Sequence, residues 1–118
     1  VLIESNQKKA AFLKQAKIEL ELNNIQVFTG RAEDFLPVEK FNTVISRALC
    51  SLREFIILAG HLCADGKEGG RLVAMKGEKP NEELRQMPAN YFIEEIFPIA
   101  VPGLAAKRHL VVINIKDE

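Results

Sequence analysis

The sequence has no excess charge of either sign: 16 lysines and arginines balance 16 aspartates and glutamates in 118 residues. A neutral molecule has no global field to draw in nucleic acid, so any such contact must come from a local patch. Long apolar runs are also missing. The run Val1 to Ile3 falls far short of the ~20 residues a membrane span requires and has no basic stretch before it. Neither a signal peptide nor a transmembrane helix is therefore expected, and the expected location is cytoplasmic, with no membrane partner. Cysteine is scarce. Cys50 and Cys63 form no CxxC pair, and they read as reduced thiols rather than as a disulfide or a redox motif.

Chemical signatures are missing too. There is no GxSxG elbow, Walker loop, dinucleotide glycine fingerprint or pair of catalytic carboxylates. His61 and Cys63 are the only close pair of soft metal ligands, with His109 far along the chain, which is too little for a metal site.

What remains is a globular composition, 47% hydrophobic and 27% charged. The length suits one domain over residues 1–118, able to bury roughly two-thirds of its unfolded surface. Val1 to Glu4 reads as a short buried strand. Asn6 to Leu22 reads as an amphipathic helix with Phe12, Leu13, Ala16 and Leu20 at three- and four-residue spacing, an N-cap at Ser5 or Asn6, and Asn23-Asn24 at its close. A second strand is predicted at Ile25 to Phe28, followed by a loop, TGRAEDFLPVEK. FNTVISRA gives a third strand, Ser51 to Leu62 a helix, GRLVAMKG a fourth strand and NEELRQM a short helix. YFIEEIFPIAV and KRHLVVINIK then read as a hairpin joined around Pro102-Gly103. This alternation argues an open α/β sheet, mostly parallel, with an antiparallel edge.

Ligands of open α/β sheets bind beyond the carboxyl ends of the strands. That rule selects Glu4 and Ser5, Arg31 to Asp34, Ser46 to Ala48, and Lys76 with Gly77. A carboxylate at a strand end, such as Glu4, can accept hydrogen bonds from ribose hydroxyls; it can equally flank a helix start, where negative charge is favoured. Ala32 and Glu33 can offer an amide and a carboxylate to a base edge, or form an ordinary solvated loop. Arg47 can bind a carboxylate or phosphate with both arms of its fork, or pair with Glu33 or Asp34. Lys76 and Lys79 follow the fourth strand, and Lys107, Arg108 and His109 open the last. Should they converge, they make a basic patch suited to phosphate contacts. Lys8, Lys9, Lys14 and Lys17 read as a solvent face.

Taken in order, IES, KKAAFLK, LNNIQV, GRAEDF, FNTVISRA, AMKG and KRHLVVI resemble the bacterial small-subunit ribosomal RNA methyltransferase G family, also called glucose-inhibited division protein B. The resemblance runs over nearly all of the chain. It implies a Rossmann-like class I methyltransferase sheet, S-adenosyl-L-methionine as cofactor, small-subunit ribosomal RNA as partner, and methyl transfer to N7 of one guanine. By position it assigns Glu4 to the cofactor's ribose, Ala32 and Glu33 to its adenine, and Arg47 to the cofactor site. Lys76, Lys79, Arg108 and His109 are expected to face RNA on the ground of charge. Guanine N7 has a lone pair and no proton, so the resemblance also implies a reaction run by alignment, with no general base to find.

The family carries, before the strand ending in Glu4, a first strand and a glycine-rich loop that holds the methionine part of the cofactor. Neither occurs in these 118 residues, and a chain opening on Val1 reads as a fragment with weak or no cofactor binding. The family's sheet order places that strand between the strands of Val1 to Ile3 and Thr43 to Ser46, so two open edges are expected. A reading from another class follows: a non-catalytic nucleotide-binding or interaction module that self-associates through its open edge. A nicotinamide-dependent enzyme would share Glu4 but would not explain SRA or RHLVVI.

Overall fold

The computed structural model describes residues 1–47, 51–77, 83–103 and 107–115. Its elements run β1 (Leu2–Glu4), α1 (Gln7–Glu19), β2 (Val27–Thr29), β3 (Thr43–Arg47), α2 (Leu52–Ala59), β4 (Arg71–Lys76), β5 (Tyr91–Ile99) and β6 (Arg108–Ile115), with short 3-10 turns between. Cys50 and Lys79 lie outside the described residues. The chain divides into two compact units, Val1–Pro37 and Val38–Glu118.

In the first unit β1 pairs with β2 in parallel, Leu2 opposite Val27 and Glu4 opposite Thr29. Asn6 is the N-cap of α1: its side chain accepts from the Lys9 amide at 3.0 Å, satisfying one of the donors a helix start leaves unpaired. The helix ends earlier than Asn23-Asn24 suggests. Glu21 adopts a left-handed conformation (φ 55), Glu21 N–H donates to Ile18 O at 3.1 Å, and Leu22 N–H donates to Lys17 O at 3.0 Å. Those paired reverse bonds are a Schellman ending, with glutamate in the place usually taken by glycine.

The expected apolar face of α1 needs correction. Ala10 is its buried residue, with Leu13 and Lys17 half-buried on the same stripe, whereas Phe12, Ile18 and Leu20 are 71%, 68% and 67% exposed. Two strands of three residues each offer too narrow a surface to cover more than one stripe of a helix.

The second unit holds the core. Its sheet runs in the order β3-β4-β6-β5, with β3 and β4 parallel and both neighbours of β6 antiparallel. Leu72, Val73 and Ala74 of β4 and Val111, Val112 and Ile113 of β6 are buried in unbroken runs, as expected of central strands covered on both faces. Against them lies α2, whose buried Leu52, Phe55, Ile56 and Ala59 follow helical spacing. Leu52, Phe55 and Ile56 each contribute about 1.5–3 kcal/mol by leaving water, and the smaller Ala59 less. Ser51 caps α2, accepting from the Glu54 amide at 3.2 Å, and beyond Ala59 the helix tightens into a 3-10 turn, Gly60–Leu62. The segment expected as a short helix forms a 3-10 turn at Glu83–Gln86. The predicted hairpin forms, with Pro98 on the edge strand β5, where a missing N–H costs least, and a bulge between Ile93 and Glu95.

The fold is thus α/β and Rossmann-like, with parallel strand pairs and an antiparallel C-terminal hairpin. The hydrogen-bonded order is not continuous from β1 to β3: among the described residues, β1 pairs only with β2 and β3 only with β4.

Candidate functional site

In the first unit the strand-end residues meet as the topology rule expects. Parallel pairing puts the ends of β1 and β2 side by side, and Gly30 N–H donates to the Glu4 carbonyl at 2.9 Å. Two residues on, Ala32 opens a 3-10 turn, Ala32–Asp34, which places Ala32 and Glu33 just past the same end of the ladder. Phe28 and Phe35 stack below this turn at 4.9 Å and a tilt of 57°. Gly30 lets the Phe28 ring lie against its own backbone, since a Cβ there would be 2.8 Å from that ring.

Glu4 combines both roles that its position suggests. One carboxylate oxygen, Oε2, accepts from the Asn6 amide at 3.1 Å, so the side chain flanks the start of α1. The same half-buried carboxylate borders an open groove of about 380 Å³ lined also by Lys8, Lys9, Phe12 and Leu13. A carboxylate held by one oxygen can still present the other as an acceptor to the donating hydroxyls of a ribose diol. Ala32 and Glu33 do not line that groove. Glu33 stands 3.7 Å from the exposed Arg31 guanidinium, a distance at which an exposed pair adds little.

In the second unit the register gathers the other candidates. Arg47 closes β3 opposite Met75, Lys76 closes β4 opposite His109, and Arg108 lies opposite Ile99. Arg47, Lys76, Arg108 and His109 therefore occupy one end of one sheet. Their surroundings differ. Arg47 is exposed. Arg108 Nη1 donates to the Lys107 carbonyl at 2.9 Å, and His109 Nδ1 lies 3.1 Å from the Gly77 carbonyl. Lys76 is sheltered, its side chain 16% exposed, with Nζ 3.0 Å from Glu83 Oε1.

Glu83 is the residue that sequence reasoning missed. Its carboxylate also accepts from the Leu52 amide at 3.1 Å, a partner 31 residues away that no local pattern announces. Cys63, set aside as a simple thiol, is buried and free, and burial pushes its pKa up against a smaller opposing pull from Lys40. A neutral buried thiol is inert, so Cys63 packs rather than reacts.

The arrangement of elements is shared with methyltransferases of known structure. TrmN from Thermus thermophilus matches with a TM-score of 0.72, over 96% of this chain and 35% of its own, at 16% identity. A putative methyltransferase from Thermoplasma acidophilum matches with a TM-score of 0.66, over 98% of this chain and 56% of its own, at 14% identity. At such identities the likeness establishes the fold alone, that of a Rossmann-like methyltransferase. The model of the rRNA small subunit methyltransferase G family matches residues 1–111, and the chain belongs to that family. The ribosomal RNA small subunit methyltransferase G of Nitrosospira multiformis is 56% identical over 97% of this chain and 55% of its own length. That of Nitrosomonas eutropha is 48% identical over 100% and 55%. The chain spans about half the length of the curated relatives it matches.

Proposed function

We propose that this chain belongs to an S-adenosyl-L-methionine-dependent methyltransferase acting on N7 of a guanine in small-subunit ribosomal RNA, within a single, partial methyltransferase domain spanning residues 1–118. The observation that carries this reading is the family match over residues 1–111, together with 56% identity to the Nitrosospira multiformis relative. When bound, the cofactor supplies an electrophilic methyl group on a sulfonium, a form that a lone pair accepts without help from a base.

The residues of this chain would bind and orient. Glu4 holds the ribose, its fit resting on the strand-end carboxylate whose Oε2 alone is taken by Asn6. Ala32 and Glu33 meet the adenine through the opening of their 3-10 turn, where the first amides have no partner inside the turn. Arg47 is assigned to the cofactor by its place at the end of β3. Arg108, His109 and Lys79 face RNA, and Lys76 belongs to the same set as its most sheltered described member. In such a reaction the rate comes from alignment and from fixed charge near the reacting atoms.

No helix among the described residues is long and apolar enough to cross a membrane, and we place the protein in the cytoplasm with its RNA. Without a glycine-rich loop in these 118 residues, binding of S-adenosylmethionine by the chain alone is weak. Adenosine titrated into the isotope-labelled chain tests the site directly. Amides of residues 4–6 and 32–33 should shift at millimolar concentrations, and Glu4→Ala should weaken binding about tenfold, the value of one charged hydrogen-bonding partner. An unchanged spectrum at saturation would remove the cofactor assignment. Methyl transfer to small-subunit ribosomal RNA, with the Nitrosospira multiformis protein as positive control, tests the reaction.

One observation favours a second reading, self-association through an open edge. Among the described residues β3 has a ladder partner on one side only, and Ile45 on that strand is 63% exposed. Unpaired edges of this kind accept a further strand. Light scattering showing a monomer up to millimolar concentration would exclude it.

A further inference from the structure

Glu83 lies outside every motif that points to the family, yet it joins two elements at the carboxyl end of the second unit's sheet. A single oxygen, Oε1, accepts from the Leu52 amide at 3.1 Å and from Lys76 Nζ at 3.0 Å. Leu52 is the first residue of α2, so its amide has no acceptor within the helix. Ser51 Oγ serves the Glu54 amide, and Glu83 supplies the acceptor that Ser51 cannot. A carboxylate at the positive end of a helix dipole is favoured there, and a lysine beside it is favoured in turn by the carboxylate. Both partners are sheltered, at 16% and 28% side-chain exposure, so salt screens the pair less than it would at the open surface.

The anchored groups adjoin the candidate site. Lys76 ends β4 opposite His109, and Leu52 ends the connection that begins after Arg47 at the close of β3. Fixing both fixes the far end of the β3–α2 connection and the direction of the last β4 side chain. A carboxylate that served only as a helix cap would need no ammonium. One that served only as a counter-ion would need no helix. Glu83 meets both through one atom.

We propose that Glu83 is a positioning residue that holds the Lys76 ammonium and the first turn of α2 together at the strand-end face. What that face is for rests on the methyltransferase reading, while the clamp itself does not. Lys76 is thereby an oriented charge at the sheet end that also holds the half-buried Arg108 and His109.

The test uses the isotope-labelled 118-residue chain with the variants Glu83→Gln, Glu83→Ala and Lys76→Met. Hydrogen exchange of the Leu52 amide should accelerate about tenfold in Glu83→Ala, the loss of one hydrogen bond. It should stay within about twofold of the parent in Glu83→Gln, whose amide oxygen still accepts, and in Lys76→Met. Acylation of Lys76 by an amine-directed reagent, read by mass spectrometry against exposed Lys8 and Lys9, should be slow in the parent. It should rise at least about fivefold in both Glu83 variants, since the carboxylate charge that draws the ammonium against the start of α2 is gone. Glu83→Gln is the deciding variant: a residue acting only as a cap would leave Lys76 as slow as before. The proposal is overturned if Glu83→Gln leaves Lys76 unchanged, or if Leu52 exchanges equally fast with and without the carboxylate. Should Glu83→Ala fail to fold, Glu83→Gln and Lys76→Met still decide. Neither readout involves RNA or cofactor, so a failed methyltransferase reading leaves the result standing.

Discussion

His109 donates its Nδ1 proton to the carbonyl of Gly77 at 3.1 Å, on the strand position that faces Lys76 across the ladder. A carbonyl only accepts, so the neutral ring carries its proton on Nδ1 and leaves Nε2 as its acceptor. Two amide substitutions separate the atoms. Asparagine places a donor where Nδ1 sits, and the carbonyl of a glutamine amide places an acceptor where Nε2 sits. His109→Asn should therefore hold stability within about 0.5 kcal/mol yet weaken RNA binding several-fold. His109→Gln should lose about 1 kcal/mol in urea unfolding and retain more of the affinity. Filter binding of a small-subunit ribosomal RNA hairpin reads the second quantity. Equal affinities for the two variants would show that Nε2 does not meet RNA.

Two adjacent glycines are required for different reasons. A Cβ on Gly70 would overlap the carbonyl oxygen of Ala64, backbone that cannot turn aside, where Gly70 N–H also donates to Asp65 O at 2.9 Å. Gly69 has open space around it but a left-handed backbone, φ 81. Gly70→Ala should thus cost about 3 kcal/mol or more, through displaced backbone at the head of β4. Gly69→Ala should cost only about 1 kcal/mol, the penalty for a side chain in that conformation. Urea denaturation of both variants ranks them, and a cost at Gly69 equal to that at Gly70 would contradict the steric argument.

The sequence pattern located the strands and the hairpin well, because VIS, RLVAM and HLVVI are short apolar runs bounded by polar and turn residues. The face of α2 was equally legible, since Leu52, Phe55, Ile56 and Ala59 admit one helical stripe. For α1 the stripe was not decidable. Apolar residues lie around most of that helix, and which of them are covered depends on the narrow pair of strands beneath it. The site divides in the same way. The rule that ligands meet strand ends selected Glu4, Ala32, Glu33, Arg47 and Lys76, which lie at or just past the carboxyl ends of their strands, while Arg108 and His109, chosen on charge, open β6. It could not give their partners. Asn6 on Glu4, Gly77 on His109 and Glu83 on Lys76 are products of register and chain reversal, which nothing local in the sequence encodes.

Glu21 offers a stabilising change. It sits at φ 55 in the Schellman ending of α1, a conformation that costs a residue with a Cβ roughly 1–2 kcal/mol and costs glycine almost nothing. Glycine gains chain entropy in the unfolded state, which offsets part of the benefit. Glu21→Gly should still raise stability by about 0.5–1 kcal/mol, seen as slower amide exchange at the end of α1. Faster exchange at Leu20 and Leu22 would mean that the glutamate side chain contributes an interaction beyond the turn.

Alkaline pH should weaken the second unit through Cys63 and Tyr91. Burial raises the Cys63 pKa above its ordinary 9.0, and burial followed by the charge of Cys63 raises that of Tyr91 above its ordinary 10.0. Both groups are acids that are neutral when protonated, so the unfolded chain releases their protons first as pH rises. Between each unfolded value and the higher folded one, the native state holds more protons, and stability falls with increasing pH. Below the lower unfolded value the contribution is complete and independent of pH. The urea midpoint should therefore stay level from about pH 7 to 8 and decline from about pH 9 upward. Cys63→Ala should lower overall stability by removing a packed side chain, yet flatten the first part of that decline. Tyr91→Phe should flatten the later part. A decline of the same steepness in both variants would place its origin in other groups.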